Sequence, residues 1–110
     1  MLISYENIAK QPFHDSLSRA CRKLELIHYE FCGPIPVPSA NGNKYMMTFI
    51  DDYTRMCWVY LLKYKSDSFQ TFKNFHKWIE NEAQSHIGSI RTDNGKEYTS
   101  NEFENFFSPK

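Results

Sequence analysis

Apolar and polar positions divide this chain into stretches of different period. Residues 1–23 are mixed and polar without a clean repeat, and read as a tail or an incomplete preceding segment. Residues 24–31 are apolar-rich and predict a first strand. In the run from Gly33 to Pro38 three prolines alternate with other residues, which excludes helix and predicts an extended connector. Asn41-Gly42-Asn43 predicts a turn. Residues 44–50 and 56–64 are rich in β-branched and aromatic side chains and flank the five-residue connection Asp51-Asp52-Tyr53-Thr54-Arg55. That is the pattern of a hairpin, and with the first strand it makes a three-stranded antiparallel meander.

The period then lengthens. Ser66 is placed to cap a helix, and Phe69, Phe72, Phe75 or His76, Ile79 and Ala83 recur every three or four residues as one apolar face. Gly88 is expected to end this element. A short apolar approach then runs into Asp93, and Asn94-Gly95 follows as a strong turn signal, so a strand should stop at Asp93. Residues 100–107 predict a last short helix that packs Phe103, Phe106 and Phe107. The expected order is β-β-β-α-β-α, an α/β domain. This order allows the first and fourth strands to lie side by side, which would bring Glu30 and Asp93 to a common site. Ligands of open α/β sheets bind just outside the strands' C-terminal ends. Two carboxylates there can hold divalent metal ions such as Mg²⁺.

At 110 residues the chain is one domain at most. Hydrophobic residues make up 41% and aromatics 16%, enough for a core and too much for a disordered chain. Thirteen basic and thirteen acidic residues cancel, which argues against nucleic-acid binding through bulk charge but not against a nuclease-like protein whose acids hold metal. Cys21, Cys32 and Cys57 are odd in number and lack paired spacing, as expected of reduced thiols in an intracellular protein. No signal peptide is evident, and no stretch reaches the about 18 apolar residues of a membrane span.

Other groups have plainer readings. Asp51 and Asp52 fit a hairpin tip, where Asp is common and where Arg55 can pair with one of them. His14, Cys21, His28 and Cys32 invite a zinc reading. On a strand, however, His28 and Cys32 lie about 13 Å apart, while zinc ligands sit about 2 Å from the metal. Arg19, Arg22 and Lys23 read as a solvated basic face with a phosphate contact as the alternative. Lys96, beside Asp93, is a candidate to steer phosphate, with Asn94 next to it. The apolar stripe of Phe69, Phe72, Phe75, Trp78 and Ile79 reads as core and not as a base-stacking platform.

Four ordered blocks carry a resemblance: residues 28–34 (His-Tyr-Glu-Phe-Cys-Gly-Pro); Lys44-Tyr45 with 48–55 (Thr-Phe-Ile-Asp-Asp-Tyr-Thr-Arg); 58–63 (Trp-Val-Tyr-Leu-Leu-Lys); and 91–98 (Arg-Thr-Asp-Asn-Gly-Lys-Glu-Tyr). Together, over about residues 24–107, they resemble the integrase catalytic core of Copia-type retrotransposons. The resemblance implies a ribonuclease-H-like fold, DNA integration by an Asp-Asp-Glu triad, and a requirement for Mg²⁺ or Mn²⁺. It also implies DNA partners (element ends and target), a homo-oligomer and a nuclear location.

Carried over position by position, Asp93 matches the second acid and is expected to act as catalytic metal ligand. Glu30 stands where the family has its first Asp. Its extra methylene moves the carboxylate by about 1 Å, a shift to which catalytic geometry is sensitive. The third acid should lie well beyond Asp93, but only 17 residues follow Asp93 here, so the core is expected to be cut before that acid's helix. Glu97, Glu102 and Glu104 are too near to replace it and read as a solvated face. Ahead of the core, Ala9-Lys10 and Pro12-Phe13 resemble worn traces of the family's preceding zinc-binding region, with Ile3 and Glu6 in place of cysteines. The chain is thus expected to divide into 1–23, a degraded remnant or tail, and 24–110, a partial catalytic core inactive by itself. The alternative is a non-catalytic module that binds nucleic acid or protein on the same fold.

Overall fold

The computed structural model describes residues 2–5, 20–36 and 42–107. Among them run strands β1 (Leu2–Tyr5), β2 (Leu26–Cys32), β3 (Tyr45–Asp51) and β4 (Cys57–Leu62), helix α1 (Ser68–Ala83), strands β5 (Ser89–Thr92) and β6 (Glu97–Thr99), and helix α2 (Ser100–Phe107). The strands form one six-stranded sheet in the order β1-β4-β3-β2-β5-β6. β2, β3 and β4 make the antiparallel meander that the two-residue period predicts. α1 then crosses over the sheet and returns the chain as β5, parallel to β2. The expected β-β-β-α-β-α order is present, with an added edge strand at each side.

Those edge strands are the departures from the sequence reading. β1 lies within the segment read as a tail and pairs antiparallel with β4, Leu2 opposite Tyr60 and Tyr5 opposite Cys57. β6 pairs antiparallel with β5 across the Asn94-Gly95 turn. At four and three residues, both are too short to carry a readable alternation.

Both helices pack on one face of the sheet. Alternation along the strands sends Ile27 and Tyr29 of β2, Met47 and Phe49 of β3, Trp58 and Leu62 of β4, and Ile90 of β5 into one buried cluster. There they meet Phe72, Phe75 and Ile79 of α1 and Phe103 of α2. Phe49 stacks on Phe75 with ring centroids 4.1 Å apart, and Phe103 meets Tyr29 and Phe72 edge-on at 5.2 and 4.8 Å. Burying side chains of this size contributes about 1.5–3 kcal/mol each. The stripe read as core is therefore core at 72, 75 and 79, whereas Trp78 points outward at 38% exposure.

Local signals are corrected in two places. A 3-10 turn at Lys65–Asp67 precedes α1, so the N-cap is Asp67 and Ser66 lies inside the turn. α1 ends at Ala83, with Gln84 left-handed (φ 52°) as its C-cap; Gly88 comes later and does a different job. A Cβ on Gly88 would sit 2.5 Å from the Glu25 carbonyl oxygen, because Gly88 N–H bonds the Leu24 carbonyl at 3.0 Å where β5 docks on β2. α2 begins with a capping box: Thr99 N–H donates to Glu102 (2.9 Å) and Glu102 N–H to Thr99 Oγ1 (3.2 Å). Glu102 thus holds a helix start.

Candidate functional site

Parallel pairing of β2 with β5 puts Tyr29 opposite Thr92. The next residue on each strand is a carboxylate, Glu30 on β2 and Asp93 just past the end of β5, and both are exposed. Tyr29 and Ile27 face the helices, so Glu30 belongs to the opposite face. Glu30 therefore stands two residues before the end of β2, and Asp93 directly follows β5, on neighbouring parallel strands.

Side chains around them register both charges. The Cys32 thiol is pushed above its ordinary value by burial, then by the Glu30 carboxylate and then by that of Asp93. The Tyr29 hydroxyl is pushed up mainly by burial and further by Asp93. The Cys57 thiol is raised by burial and by Glu30. Burial is the largest cause of the Cys32 shift, and both carboxylates add to it.

The turn after Asp93 is firmly built. Thr92 N–H donates to the Lys96 carbonyl (2.8 Å) and Gly95 N–H to the Thr92 carbonyl (3.0 Å), with Gly95 at φ 89°. Asn94 Oδ1 accepts from the Thr92 hydroxyl and from Lys96 N–H (3.2 Å). One oxygen of Asn94, expected at a nucleic-acid contact, therefore holds the turn that carries Asp93. Lys96 lies exposed in the same turn. Glu97, read as solvated, bridges to Arg91 across the β5–β6 pair at 3.0 Å.

Asp51 and Asp52 are not solvated tip residues. They are 1% and 2% exposed. Asp51 accepts from Leu24 N–H (3.4 Å), Tyr53 N–H (3.1 Å) and the Thr54 hydroxyl (2.9 Å), and burial raises its pKa despite these donors. Asp52 accepts from Ala20 N–H (2.9 Å) and faces His28 Nε2 at 2.8 Å. Both acids fasten the hairpin loop to the segment entering β2. Among the remaining sequence candidates, Arg22 donates to the His86 carbonyl (2.9 Å) and Ser85 Oγ (3.1 Å), which ties it to the loop after α1. His14, Arg19 and residues 6–13 lie outside the described residues.

Three concavities stand out among the described residues, one of about 440 Å³ lying between Lys23, Thr54, Met56 and the Trp78–Ala83 end of α1. The largest, about 830 Å³, runs along polar side chains from Asn74 to His86, at the end of β5 away from Asp93. The smallest of the three, about 260 Å³, adjoins Asp93 and is lined by Tyr29, Phe31, Lys65 and Phe106 among others. Sequence reasoning missed the group beside Asp93 because its members come from β2, the turn before α1, and α2.

This topology, with an acid on one strand and another just past the end of its parallel neighbour, defines a ribonuclease-H-like α/β domain. The integrase core domain family matches residues 20–109, and the chain belongs to that family. It is 46% identical over 96 residues to the "Retrovirus-related Pol polyprotein from transposon TNT 1-94" of Nicotiana tabacum, covering 87% of this chain. It is 37% and 36% identical, over 81% of its length, to the corresponding polyproteins of transposons RE1 and RE2 of Arabidopsis thaliana. The match spans 7% of the tobacco protein and 6% of each Arabidopsis protein. The resemblance to a retrotransposon integrase core is thereby borne out. The family is in general divalent-metal dependent and binds nucleic acid.

Proposed function

We propose that this domain descends from, and serves as part of, a DNA-integrating phosphoryl-transfer core in which Glu30 and Asp93 hold Mg²⁺ or Mn²⁺. The observation that carries this reading is the parallel β2–β5 pair, with a carboxylate next in line on each strand. The donor set fits a hard cation: two exposed carboxylates offer oxygen ligands, and Mg²⁺ is commonly held by one or two carboxylates, with water and substrate phosphate completing its shell. Among the described residues no group of three or more His, Cys, Asp or Glu is placed to hold a metal. A bound divalent ion would supply charge stabilisation at a phosphodiester and activation of a hydroxyl. Asn94 would keep Asp93 in place through the turn, and Lys96 would draw the DNA phosphate.

Residues 24–110 constitute part of the catalytic core in this reading. Residues 1–23 are a worn counterpart of the preceding zinc-binding region or a tail, from which β1 joins the sheet. Glu30 in place of Asp sets the first carboxylate farther from its strand, which in this reading weakens its hold on the metal. DNA ends and target DNA are its partners, in the nucleus and as a homo-oligomer.

Thermal unfolding with and without Mn²⁺ tests the metal site. A ligand that binds only the folded state raises Tm by an amount set by RT ln(1 + [L]/Kd). Mn²⁺ should raise Tm in the parent and leave Asp93→Asn unmoved. A transition indifferent to Mn²⁺ in both proteins would refute the metal site and favour a non-catalytic nucleic-acid- or protein-binding module.

A further inference from the structure

The cavity beside Asp93 has a composition that neither the core nor the carboxylate pair requires. Its volume is about 260 Å³, just below the roughly 300–1,000 Å³ of sites that enclose drug-sized ligands, so it suits a single flat ring system. Tyr29, Phe31, Phe106 and Phe107 supply aromatic lining. Phe106 is a large apolar ring left 55% exposed in the last turn of α2. Phe103, one turn earlier, is fully buried and anchors the helix, and Phe106 lies against it with centroids 5.8 Å apart. Phe106 also stacks on Tyr98 with centroids 5.2 Å apart and planes inclined by 25°. A ring held by a stacked neighbour and still half open is a ready platform for another flat group. Around it stand a cation, Lys65, and hydrogen-bonding groups of Ser68, Thr92 and Asn94.

We infer that this cavity receives one unpaired nucleobase at the end of a DNA strand, stacked on Phe106, with the adjoining phosphate drawn to the Lys65 ammonium. The aromatic lining matches the π-face of any base, Lys65 matches the phosphate charge, and the size admits one base and not a pair. The inference rests on the proposed carboxylate site only in taking the substrate to be DNA: a base held here keeps its backbone next to Asp93. It explains why an exposed phenylalanine and a lysine from distant elements meet at the strand ends.

Fluorescence anisotropy in EDTA tests this without metal. The 110-residue chain is titrated into a blunt duplex, the same duplex with two unpaired 3′ nucleotides, and a third whose unpaired nucleotides are abasic. The base-bearing overhang should bind about tenfold tighter than the blunt end, the scale of one stacked base. The abasic overhang keeps its phosphates and should lose most of that gain. Phe106→Ala should erase the difference between intact and abasic ends, and Phe106→Tyr should keep it. Lys65→Ala should weaken both overhangs alike. Equal binding of intact and abasic overhangs, no binding to any probe, or a preference that survives Phe106→Ala would overturn the inference. If the overhang preference persists while Mn²⁺ fails to move Tm, the metal site alone falls. If Mn²⁺ stabilises the chain and the preference is absent, this cavity's role alone falls.

Discussion

Two pairs of acids in this chain look alike in sequence and are opposite in structure. Asp51 and Asp52 are adjacent in a hairpin connection, where a solvated turn is the ordinary reading, yet both are almost wholly buried and surrounded by donors. Glu30 and Asp93 lie 63 positions apart in the sequence, yet parallel pairing of β2 with β5 aligns them on neighbouring strands, exposed. The first pair is bound by the protein itself: Leu24, Tyr53 and Thr54 for Asp51, Ala20 and His28 for Asp52. The second is left facing solvent, and its charges are felt by neighbouring thiols. A buried carboxylate with its acceptors engaged stabilises a fold. An exposed pair with like charge gains most from a cation that arrives from outside.

The largest effect should come from removing Asp51. Asp51→Ala leaves three donors around a buried position without an acceptor, and each such group costs about 1–3 kcal/mol. Longer bonds count for less, so a loss of about 3 kcal/mol is expected in urea unfolding. A loss below about 0.5 kcal/mol, the range of an ordinary surface change, would erase the distinction between the two pairs. Asp51→Asn separates charge from hydrogen bonding. Burial raises the Asp51 pKa above its usual 3.8. A carboxyl raised by folding contributes stability that is fully present below its unfolded value and is lost as pH rises through its folded value. Unfolding measured from below pH 3.8 upward should show this declining component in the parent and not in Asp51→Asn.

Asp52 should come next. Asp52→Ala frees Ala20 N–H and His28 from a 2%-exposed partner, and a cost of about 2 kcal/mol is expected. A double-mutant cycle with His28→Ala isolates the 2.8 Å contact, whose coupling should be about 1 kcal/mol. Additive losses would mean that Asp52 does not act through His28.

The contrast between the pairs also marks what the sequence could reveal. Period and turn chemistry were enough for the meander, for the buried face of α1 at Phe72, Phe75 and Ile79, and for α2. The β-β-β-α-β order was enough to bring β2 beside β5, hence Glu30 beside Asp93. Burial of Asp51 and Asp52 was not legible, because an acid in a turn reads the same whether its partners are water or the backbone of residues 20–24. β1 and β6 were illegible for their length. The cavity at Asp93 was illegible because Tyr29, Lys65 and Phe106 share no local pattern; only the packing of α2 on the sheet assembles them. Ser66 and Gly88 were read as helix boundaries on residue type, whereas Asp67 and Gln84 hold those places and Gly88 serves the close approach to Glu25.

The smallest effect on stability, and the sharpest test of the exposed pair, should come from Glu30→Asp. Glu30 is exposed on the sheet face away from the helices, so shortening it should change stability by no more than about 0.5 kcal/mol in the absence of metal. Its consequence should appear only with a cation. Shortening the side chain to the residue that the resemblance implies at this position draws the carboxylate back by about 1 Å, an error to which constellations of this kind are sensitive. If Glu30 and Asp93 share a cation, Mn²⁺ should raise the Tm of Glu30→Asp more than that of the parent, and adding Asp93→Asn should cancel the gain. A tenfold gain in affinity at saturating Mn²⁺ corresponds to about 1.4 kcal/mol of added stability, several times larger than the change expected without metal. Equal Mn²⁺ shifts in the parent and in Glu30→Asp would mean that the cation is held by Asp93 without Glu30, and the two exposed acids would then be neighbours and not a pair.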